Sequence, residues 1–240
     1  MSTSYRKHFL PLESNPDVFN RLIRCLGTSH HLEFQDVVSL DDPDLLPHPA
    51  LALILVFPTT DRYEEERARE DAAHSHSEAD NEDIMWFMQT INNACGLYSI
   101  LHALSNGPAR DLVGHGSFFA SLIGDCSSLL PHERSVYLEN SVELERVYKQ
   151  VAVEGISEVP ENAEDEVDYH FVCFVQSHRN GHLYELDGDR KGPLDRGLVL
   201  GPGDDMLAMG GLGVVREYIE REQGKCTFGL MALVNTGHSS

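Results

Sequence analysis

The chain has 240 residues, of which 41% are hydrophobic, which suits a globular protein with one sizeable core. Its formal net charge is −21, from 39 acidic and 18 basic residues, and a surface this acidic could not neutralise a run of phosphates. Binding to nucleic acid or to an anionic membrane is therefore not expected. A basic partner suits the charge, although acidity can equally serve only to keep a protein soluble.

Five cysteines are present, and their arrangement bears on compartment and chemistry. Their number is odd and no two have CxxC spacing, which argues against a zinc site and against a disulfide framework. Cys25, Cys173 and Cys226 lie in apolar stretches and are expected to be small buried hydrophobes. The N-terminus lacks a signal-peptide core, and no apolar run approaches the roughly 20 residues that span a bilayer. We therefore expect a reducing compartment, the cytoplasm and also the nucleus.

The first predicted element is a helix that begins at Asn15 and ends at Gly27. Asn15 supplies the N-cap, Pro16 suits the first helical position and Asp17 is an early acid. The next segment, "HLEFQDVVSL", alternates like a strand. After it, "ALALILVF" over 50–57 is short and wholly apolar, which predicts a central strand buried on both faces.

The segment after this strand is highly charged and predicts a solvated helix followed by a mobile charged loop near 74–83. His74 and His76 lie near Asp80 and Asp83 in this loop, a combination of residues that can bind a metal ion. Residues this polar and flexible give little preorganisation. A solvated loop is therefore the preferred interpretation, and no metal site is predicted.

Helices are predicted over 94–105, 116–123 and 132–150. An acidic segment near 153–168 then contains glycine and proline without any periodicity. It predicts a long exposed loop, and long loops of this kind are usually functional or disordered.

Strands dominate the last part of the chain. A hairpin is predicted from 169–176 to 182–188, followed by a helix near 212–222 and a last strand over 226–234. Helices first and strands later indicate an α+β fold with a central, largely antiparallel sheet flanked by helices. We expect the whole chain, residues 1–240, to form a single domain.

One cysteine lies where a helix is predicted to begin, in "QTINNACG". If Asn93 caps the helix, Cys95 lies in the first turn, where unpaired N–H groups and the helix dipole favour the thiolate. Gly96 leaves the approach to the sulfur open, and Gln89 can supply an amide donor, as in an oxyanion hole. Taken alone, the pattern also fits a small residue packed at a helix start, which is the commoner case.

A nucleophilic cysteine needs a base, and the base needs an orienting partner. His170 begins an apolar strand, and Asp187 ends the partner strand of the same hairpin, so the two can meet. A satisfied core histidine and an ordinary turn aspartate are the structural alternatives. His182 is a rival base that lies nearer the hairpin turn.

Three motifs, "FMQTINNACG", "HFVCFV" and "GHLYELDG", resemble the ubiquitin carboxyl-terminal hydrolase (UCH) family of thiol peptidases, peptidase family C12. The resemblance extends over nearly the whole chain, because "LPLESNPDVFNRLIRCLG", "VFPTTDRYEEER" and "LPHERSVYLEN" also match in the right order. It implies that Cys95 is the nucleophile, Gln89 stabilises the oxyanion, His170 is the general base and acid, and Asp187 orients His170. The gap from His170 to Asp187, 17 residues, is slightly longer than the family leads us to expect, so "QSHRN" is predicted to be a longer hairpin turn.

The resemblance also implies a papain-like cysteine-peptidase fold with a knotted backbone. The acidic segment near 153–168 then corresponds to a loop that crosses over the active site and admits only small or unfolded leaving groups. Residues that match family segments in contact with ubiquitin are Leu12, Glu13, Asn15 and Phe228.

The predicted activity is that of a deubiquitinase. It would remove small adducts or peptide extensions from the C-terminal glycine of ubiquitin, or of a ubiquitin-like protein such as Nedd8, as a monomer without metal or cofactor. One alternative is a ubiquitin-binding or stabilising protein of the same fold with an idle Cys–His pair and low turnover. Another is a different Cys-His-Asp acyltransferase, such as an arylamine acetyltransferase, but the sequence shows no feature of an acyl-CoA site.

Overall fold

The fold is described here from a computed structural model in five stretches of the chain, residues 5–73, 83–155, 169–201, 203–221 and 227–237. Six strands form one antiparallel sheet in the order β2-β8-β3-β5-β6-β7, and β1 and β4 form a separate parallel pair. The strands are β1 Lys7–His8, β2 Leu32–Asp36, β3 Ala50–Pro58, β4 Ile91–Asn92, β5 Tyr169–Gln176, β6 Leu183–Leu186, β7 Leu194–Asp195 and β8 Gly229–Asn235. The predicted central antiparallel sheet is confirmed.

Helices cover this sheet, as predicted. They are α1 Pro16–Cys25, α2 Asp61–Ala73, α3 Cys95–Ser105, α4 Gly107–Asp111, α5 Phe118–Ser127, α6 Pro131–Asn140, α7 Val142–Ala152 and α8 Met209–Arg221, with a short 3₁₀ helix at Pro43–Leu45. Helix α1 begins as expected, with the Asn15 side chain accepting from the Asp17 N–H at 2.9 Å. The single helix predicted over 132–150 is wrong: the chain breaks at Ser141, whose side chain caps α7 by accepting from the Leu144 N–H.

The apolar run in β3 lies between β8 and β5 and packs on both faces of the sheet. Ala52, Ile54 and Val56 join a core that includes α1, α3, α5 and α7, whereas Leu53 and Phe57 join a second core with Tyr63 of α2 and residues of α8. Because successive residues of a strand face opposite sides, a strand that is apolar at every position requires cover on both sides. The predicted central position of this strand is confirmed.

Both predicted loops lie largely outside the described residues. Of the loop near 74–83 only Asp83 is described, and of the loop near 153–168 only residues 153–155. None of the described helices is long and apolar enough to cross a membrane. The knotted backbone stays a prediction.

Candidate active site

Cys95 is the first residue of α3. A cap at Asn93 would have made it the second residue, one position farther from the N-terminus of the helix. The predicted cap at Asn93 is wrong: Ala94 occupies the N-cap position, and Asn93 has a φ of 58°. Asparagine tolerates this left-handed conformation better than most residues, and it turns the chain from β4 into α3. Cys95 therefore lies among the first N–H groups of the helix, which have no intrahelical acceptor.

Gly96 allows α3 to pack closely against the N-terminal segment. A Cβ at this position would lie 3.1 Å from the Leu12 Cβ and 3.8 Å from the Phe171 ring. The glycine was predicted to open the approach to the sulfur, and the structure adds this second reason for a residue without a side chain. Through Gly96, helix α3, which begins with the candidate nucleophile, rests against β5, the strand that carries the candidate base.

His170 and Asp187 meet at one end of the sheet, as the hairpin predicted. Strand β5 pairs with β6 so that Cys173 lies opposite Leu186, and this register brings the two strand ends together. His170 Nε2 lies 2.8 Å from Asp187 Oδ1, and both side chains are buried. The connection over 177–182, between the paired residues Gln176 and Leu183, does not disturb this contact.

Electrostatics favour an ion pair between these two residues. Burial lowers the pKa of His170, but the neighbouring Asp187 carboxylate outweighs burial and raises that pKa well above its usual value. Burial in turn raises the pKa of Asp187, but the His170 ring holds it far below its usual range. The Cys95 side chain also acts to raise the pKa of His170, so the two side chains are neighbours. Since Nε2 is engaged by Asp187, Nδ1 is the ring nitrogen available to the sulfur.

Several groups hold Asp187 in place. The Tyr63 hydroxyl of α2 donates to Asp187 Oδ2 at 2.8 Å, and the Asp189 N–H donates to Oδ1 at 2.8 Å. The Trp86 indole N–H donates to the Asp187 carbonyl oxygen at 3.0 Å. The Tyr63 hydroxyl, the Asp189 N–H and His170 together satisfy both carboxylate oxygens, which keeps the buried charge ionised and fixed in direction.

Gln89 lies in the segment that precedes α3 and is bound to the chain just after Asp187. Its N–H donates to the Gly188 carbonyl oxygen at 2.8 Å. Its side-chain Oε1 is buried and has no hydrogen-bond partner within the described part of the chain. A buried polar atom without a partner is rare in proteins and is found at functional sites. The structure therefore brings Gln89, Asp187 and His170 into one connected unit next to the start of α3.

The rival base His182 is engaged elsewhere. Its Nδ1 lies 2.8 Å from Asp195 Oδ2 of β7, and both side chains are partly exposed. It has no contact with Cys95 or Asp187 among those described. The structure therefore favours His170.

One group in the described residues has ligand atoms close enough to hold a metal ion: His170, Asp187 and Asp189, within 4.8 Å of one another. An ion there would displace the hydrogen bond between His170 and Asp187, so these residues fit a proton-transfer site better. Of the alternative set near 74–83 only Asp83 is described; its carboxylate accepts from the Arg179 N–H at 3.1 Å.

The four predicted ubiquitin-contact residues have different surroundings. Leu12 is buried, and the Glu13 side chain accepts from Asn15 Nδ2 at 3.2 Å. Asn15 caps α1, and the partly buried Phe228 packs 6.2 Å from Phe57, measured between ring centroids. Their contact with ubiquitin stays a prediction.

Sequence reasoning missed Tyr63, Trp86 and Asp189. Asp189 Oδ2 lies 3.9 Å from His170 Nδ1 and 3.7 Å from Arg67 Nη1, so a second carboxylate stands at the opposite side of the ring from Asp187. Burial raises the pKa of this Asp189 carboxyl. Tyr63 gave one usable signal: it is the single aromatic residue in an otherwise charged helix, and such a residue needs a buried contact.

Comparison with known proteins agrees with this geometry. The sequence model of the family described as "Ubiquitin carboxyl-terminal hydrolase, family 1" matches residues 9–220. Ubiquitin carboxyl-terminal hydrolase 3 of Arabidopsis thaliana is 34% identical over 235 residues, which cover 96% of each chain. Ubiquitin carboxyl-terminal hydrolase isozyme L1 of Sus scrofa is 32% identical over 225 residues, covering 93% of this chain and 96% of the relative.

A solved structure is similar over the same extent. The catalytic domain of UCH37 from Trichinella spiralis, bound to ubiquitin vinyl methyl ester, aligns with a TM-score of 0.74 at 23% identity and covers 96% of this chain and 97% of its own. This likeness concerns the fold. With the family match and the two relatives, it leads to one conclusion: the chain belongs to the ubiquitin carboxyl-terminal hydrolase family 1.

Proposed function

We propose that this protein is a cysteine-type deubiquitinase that hydrolyses the bond after the C-terminal glycine of ubiquitin through an acyl-enzyme on Cys95. The observation that carries the proposal is the buried His170–Asp187 pair at 2.8 Å, which neighbours a cysteine at the first position of a helix. Nucleophile, base and orienting carboxylate are then joined in one chain of contacts, which is the arrangement that cysteine-dependent acyl transfer requires. Family membership supplies the substrate class.

The reaction follows from these contacts. The thiol proton of Cys95 resides on His170, which is the protonated member of the ion pair with Asp187, and the Cys95 thiolate attacks the carbonyl carbon of the terminal glycine. The oxyanion that forms is held by the Cys95 N–H at the start of α3 and by the Gln89 amide. The His170 imidazolium, stabilised by Asp187, then protonates the leaving amine, and the acyl-enzyme forms as the C–N bond breaks. His170 finally removes a proton from water, which attacks the acyl-enzyme and releases the free carboxylate and the thiol.

The size and identity of the substrate are part of the same proposal. We expect small adducts and short peptide extensions as leaving groups, because the segment near 153–168 corresponds to the loop that limits access in this family. Ubiquitin is supported by the names of the relatives, and Nedd8 is a second candidate. The net charge of −21 favours a basic protein substrate through long-range attraction.

A low-turnover ubiquitin-binding protein of the same fold is the alternative. It would require the nucleophile and the base to be held apart. The Cys95 side chain is near enough to His170 to raise its pKa, which supports a competent enzyme instead.

We also propose that the protein acts as a monomer in the cytoplasm and in the nucleus. The four cysteines of the described residues are all free thiols, which suits a reducing compartment.

The decisive experiment is labelling with ubiquitin that carries a C-terminal electrophile, with Nedd8 in parallel, followed by mapping of the modified cysteine. We expect one adduct, on Cys95, in the wild-type protein and in the control Cys25→Ala, and none in Cys95→Ala. A Cys95→Ala variant that cleaves a ubiquitin–fluorophore amide at the wild-type rate would show that the assignment is wrong. Binding of ubiquitin by Cys95→Ala, measured by calorimetry, separates loss of chemistry from loss of folding.

A further inference from the structure

Two short segments meet behind the candidate active site. The first, here called the lead-in segment, comprises residues 84–90 and carries Gln89; the second, here called the aspartate turn, comprises residues 187–190 and carries Asp187. They are joined by two hydrogen bonds, from the Trp86 indole to the Asp187 carbonyl and from the Gln89 N–H to the Gly188 carbonyl. Gln89, which would hold the oxyanion, and Asp187, which would orient the base, are therefore carried by two segments that are bonded to each other.

Gly188 stands at the centre of this contact. A Cβ on Gly188 would lie 2.8 Å from the Gln89 Cβ and 3.1 Å from the Gln89 nitrogen, closer than any side chain could stand without moving its neighbour. Its backbone is not in the positive-φ region where glycine is favoured. The close approach of Gln89, and not a backbone conformation, is therefore what requires glycine here.

Neither segment is free to move away. In the aspartate turn, the buried Arg190 side chain is bound by Glu185 and Asp71, each at 3.0 Å. In the lead-in segment, the Phe87 N–H donates to His102 Nε2 at 3.0 Å, and the Ser135 hydroxyl donates to the Met88 carbonyl at 3.0 Å. A side chain introduced at position 188 would therefore act mainly on Gln89.

We propose that Gly188 is a positioning residue for the oxyanion site: its carbonyl and its lack of a side chain set the place of Gln89 relative to the turn that carries Asp187. This inference rests on the proposed role of Gln89. One contact thereby ties the position of the oxyanion donor to that of the base–carboxylate pair, so that the two are placed together when the chain folds.

The test is a double-mutant cycle on the hydrolysis of a ubiquitin–fluorophore amide. Gln89→Gly removes both the amide donor and the Cβ nearest to position 188, and we expect kcat to fall about 10²- to 10³-fold with little change in KM. Gly188→Ala alone should lower kcat at least about tenfold, again with KM nearly unchanged. Combined, the two changes should give the kcat of Gln89→Gly alone, because no amide remains to be displaced.

The control is Gly124→Ala in α5, where an added Cβ meets nothing within 4 Å, and its kcat should equal the wild-type value. Equal fold-losses from Gly188→Ala in the wild-type and Gln89→Gly backgrounds would overturn the inference, as would a Gly188→Ala variant with wild-type kcat. If Gln89→Gly itself keeps the wild-type kcat, the assigned role of Gln89 fails instead.

Melting temperatures keep the test informative if Gly188→Ala folds poorly. Because the nearest clash is with the Gln89 Cβ, Gly188→Ala should lower the melting temperature less in the Gln89→Gly background than in the wild type. The same loss in both backgrounds would count against the contact.

Discussion

Replacing Asp187 by asparagine removes one charge while keeping the shape of the side chain. Asparagine Oδ1 can still accept from His170 and from the Asp189 N–H, and its amide can donate to the Tyr63 oxygen, so the hydrogen-bond pattern is preserved. The pKa of His170 should fall, because burial lowers this pKa and the carboxylate at Nε2 that raises it is gone. Fully buried His102 shows the size of that effect, since burial lowers its pKa from 6.5 to about 4.

That decrease corresponds to about 3 kcal/mol against the protonated ring. In Asp187→Asn, His170 keeps Asp189 near Nδ1 but loses the stronger carboxylate at Nε2, so its pKa should fall and the imidazolium proposed to protonate the leaving amine should be less populated at pH 7. We expect kcat to fall on the order of 10⁴-fold, as for the loss of an orienting carboxylate in other triads. The assay is kcat and KM for a ubiquitin–fluorophore amide, with nitrogen NMR of the His170 ring as a function of pH. A matched control is Asp195→Asn, which removes the carboxylate paired with partly exposed His182.

Stability against pH gives an independent measure of the same pair. The pKa of His170 is raised on folding, so its contribution is full below about pH 6.5 and is lost as pH rises through the folded-state pKa. The pKa of Asp187 is lowered, so its contribution is full above about pH 4 and is lost as pH falls through its folded-state value. The unfolding free energy of wild type should exceed that of Asp187→Asn most between about pH 4 and pH 6.5. Activity within tenfold of wild type, or a pKa of the His170 ring that does not fall in the variant, would refute this reasoning.

Two further variants test the surroundings of the pair. Tyr63→Phe removes the hydroxyl that donates to Asp187 Oδ2 and should lower the free energy of unfolding in urea by about 1.5–3 kcal/mol, the value of a hydrogen bond to a charged group; no loss would mean that the bond is not formed. His182→Asn should keep kcat and KM at wild-type values and change stability by less than about 1 kcal/mol, because its ion pair with Asp195 is partly exposed; a large fall in kcat would restore His182 as the base.

Local sequence patterns were enough to predict the site residues whose positions depend on a single helix or strand. Periodicity and turn residues predicted the cysteine at a helix start, the histidine at a strand start and the aspartate at the end of the next strand. The hairpin then required His170 and Asp187 to come close, because antiparallel pairing leaves little freedom between adjacent strands. The detail that failed, a cap at Asn93, depended on one backbone angle, and an asparagine fits both the cap and the left-handed turn.

The remaining parts depend on contacts between residues far apart in the chain. Tyr63 reaches Asp187 across 124 positions and Trp86 reaches it across 101, and no local pattern encodes either pairing. Gly188 resembles an ordinary turn glycine until Gln89 is seen against it. Such groups become visible only once the sheet order β3-β5-β6 places the elements that carry them side by side.

A buried ionic cluster explains why α2 holds its position over the site. Arg190, whose side chain is 1% exposed, is bound to Glu185, Asp71 and Glu70, and Glu70 also accepts from Arg221 at 3.0 Å. Burying these charges costs desolvation energy that hydrophobic residues would not, so stability alone does not account for them. The bonds of Arg190 instead tie the aspartate turn to β6 and to α2, which carries Tyr63, and the bond between Glu70 and Arg221 ties α2 to α8. The turn that carries Asp187 is thus held by directional ionic contacts. In the proposed mechanism His170 must keep its proton until the amine leaves, and it benefits from a carboxylate on a turn that cannot move away.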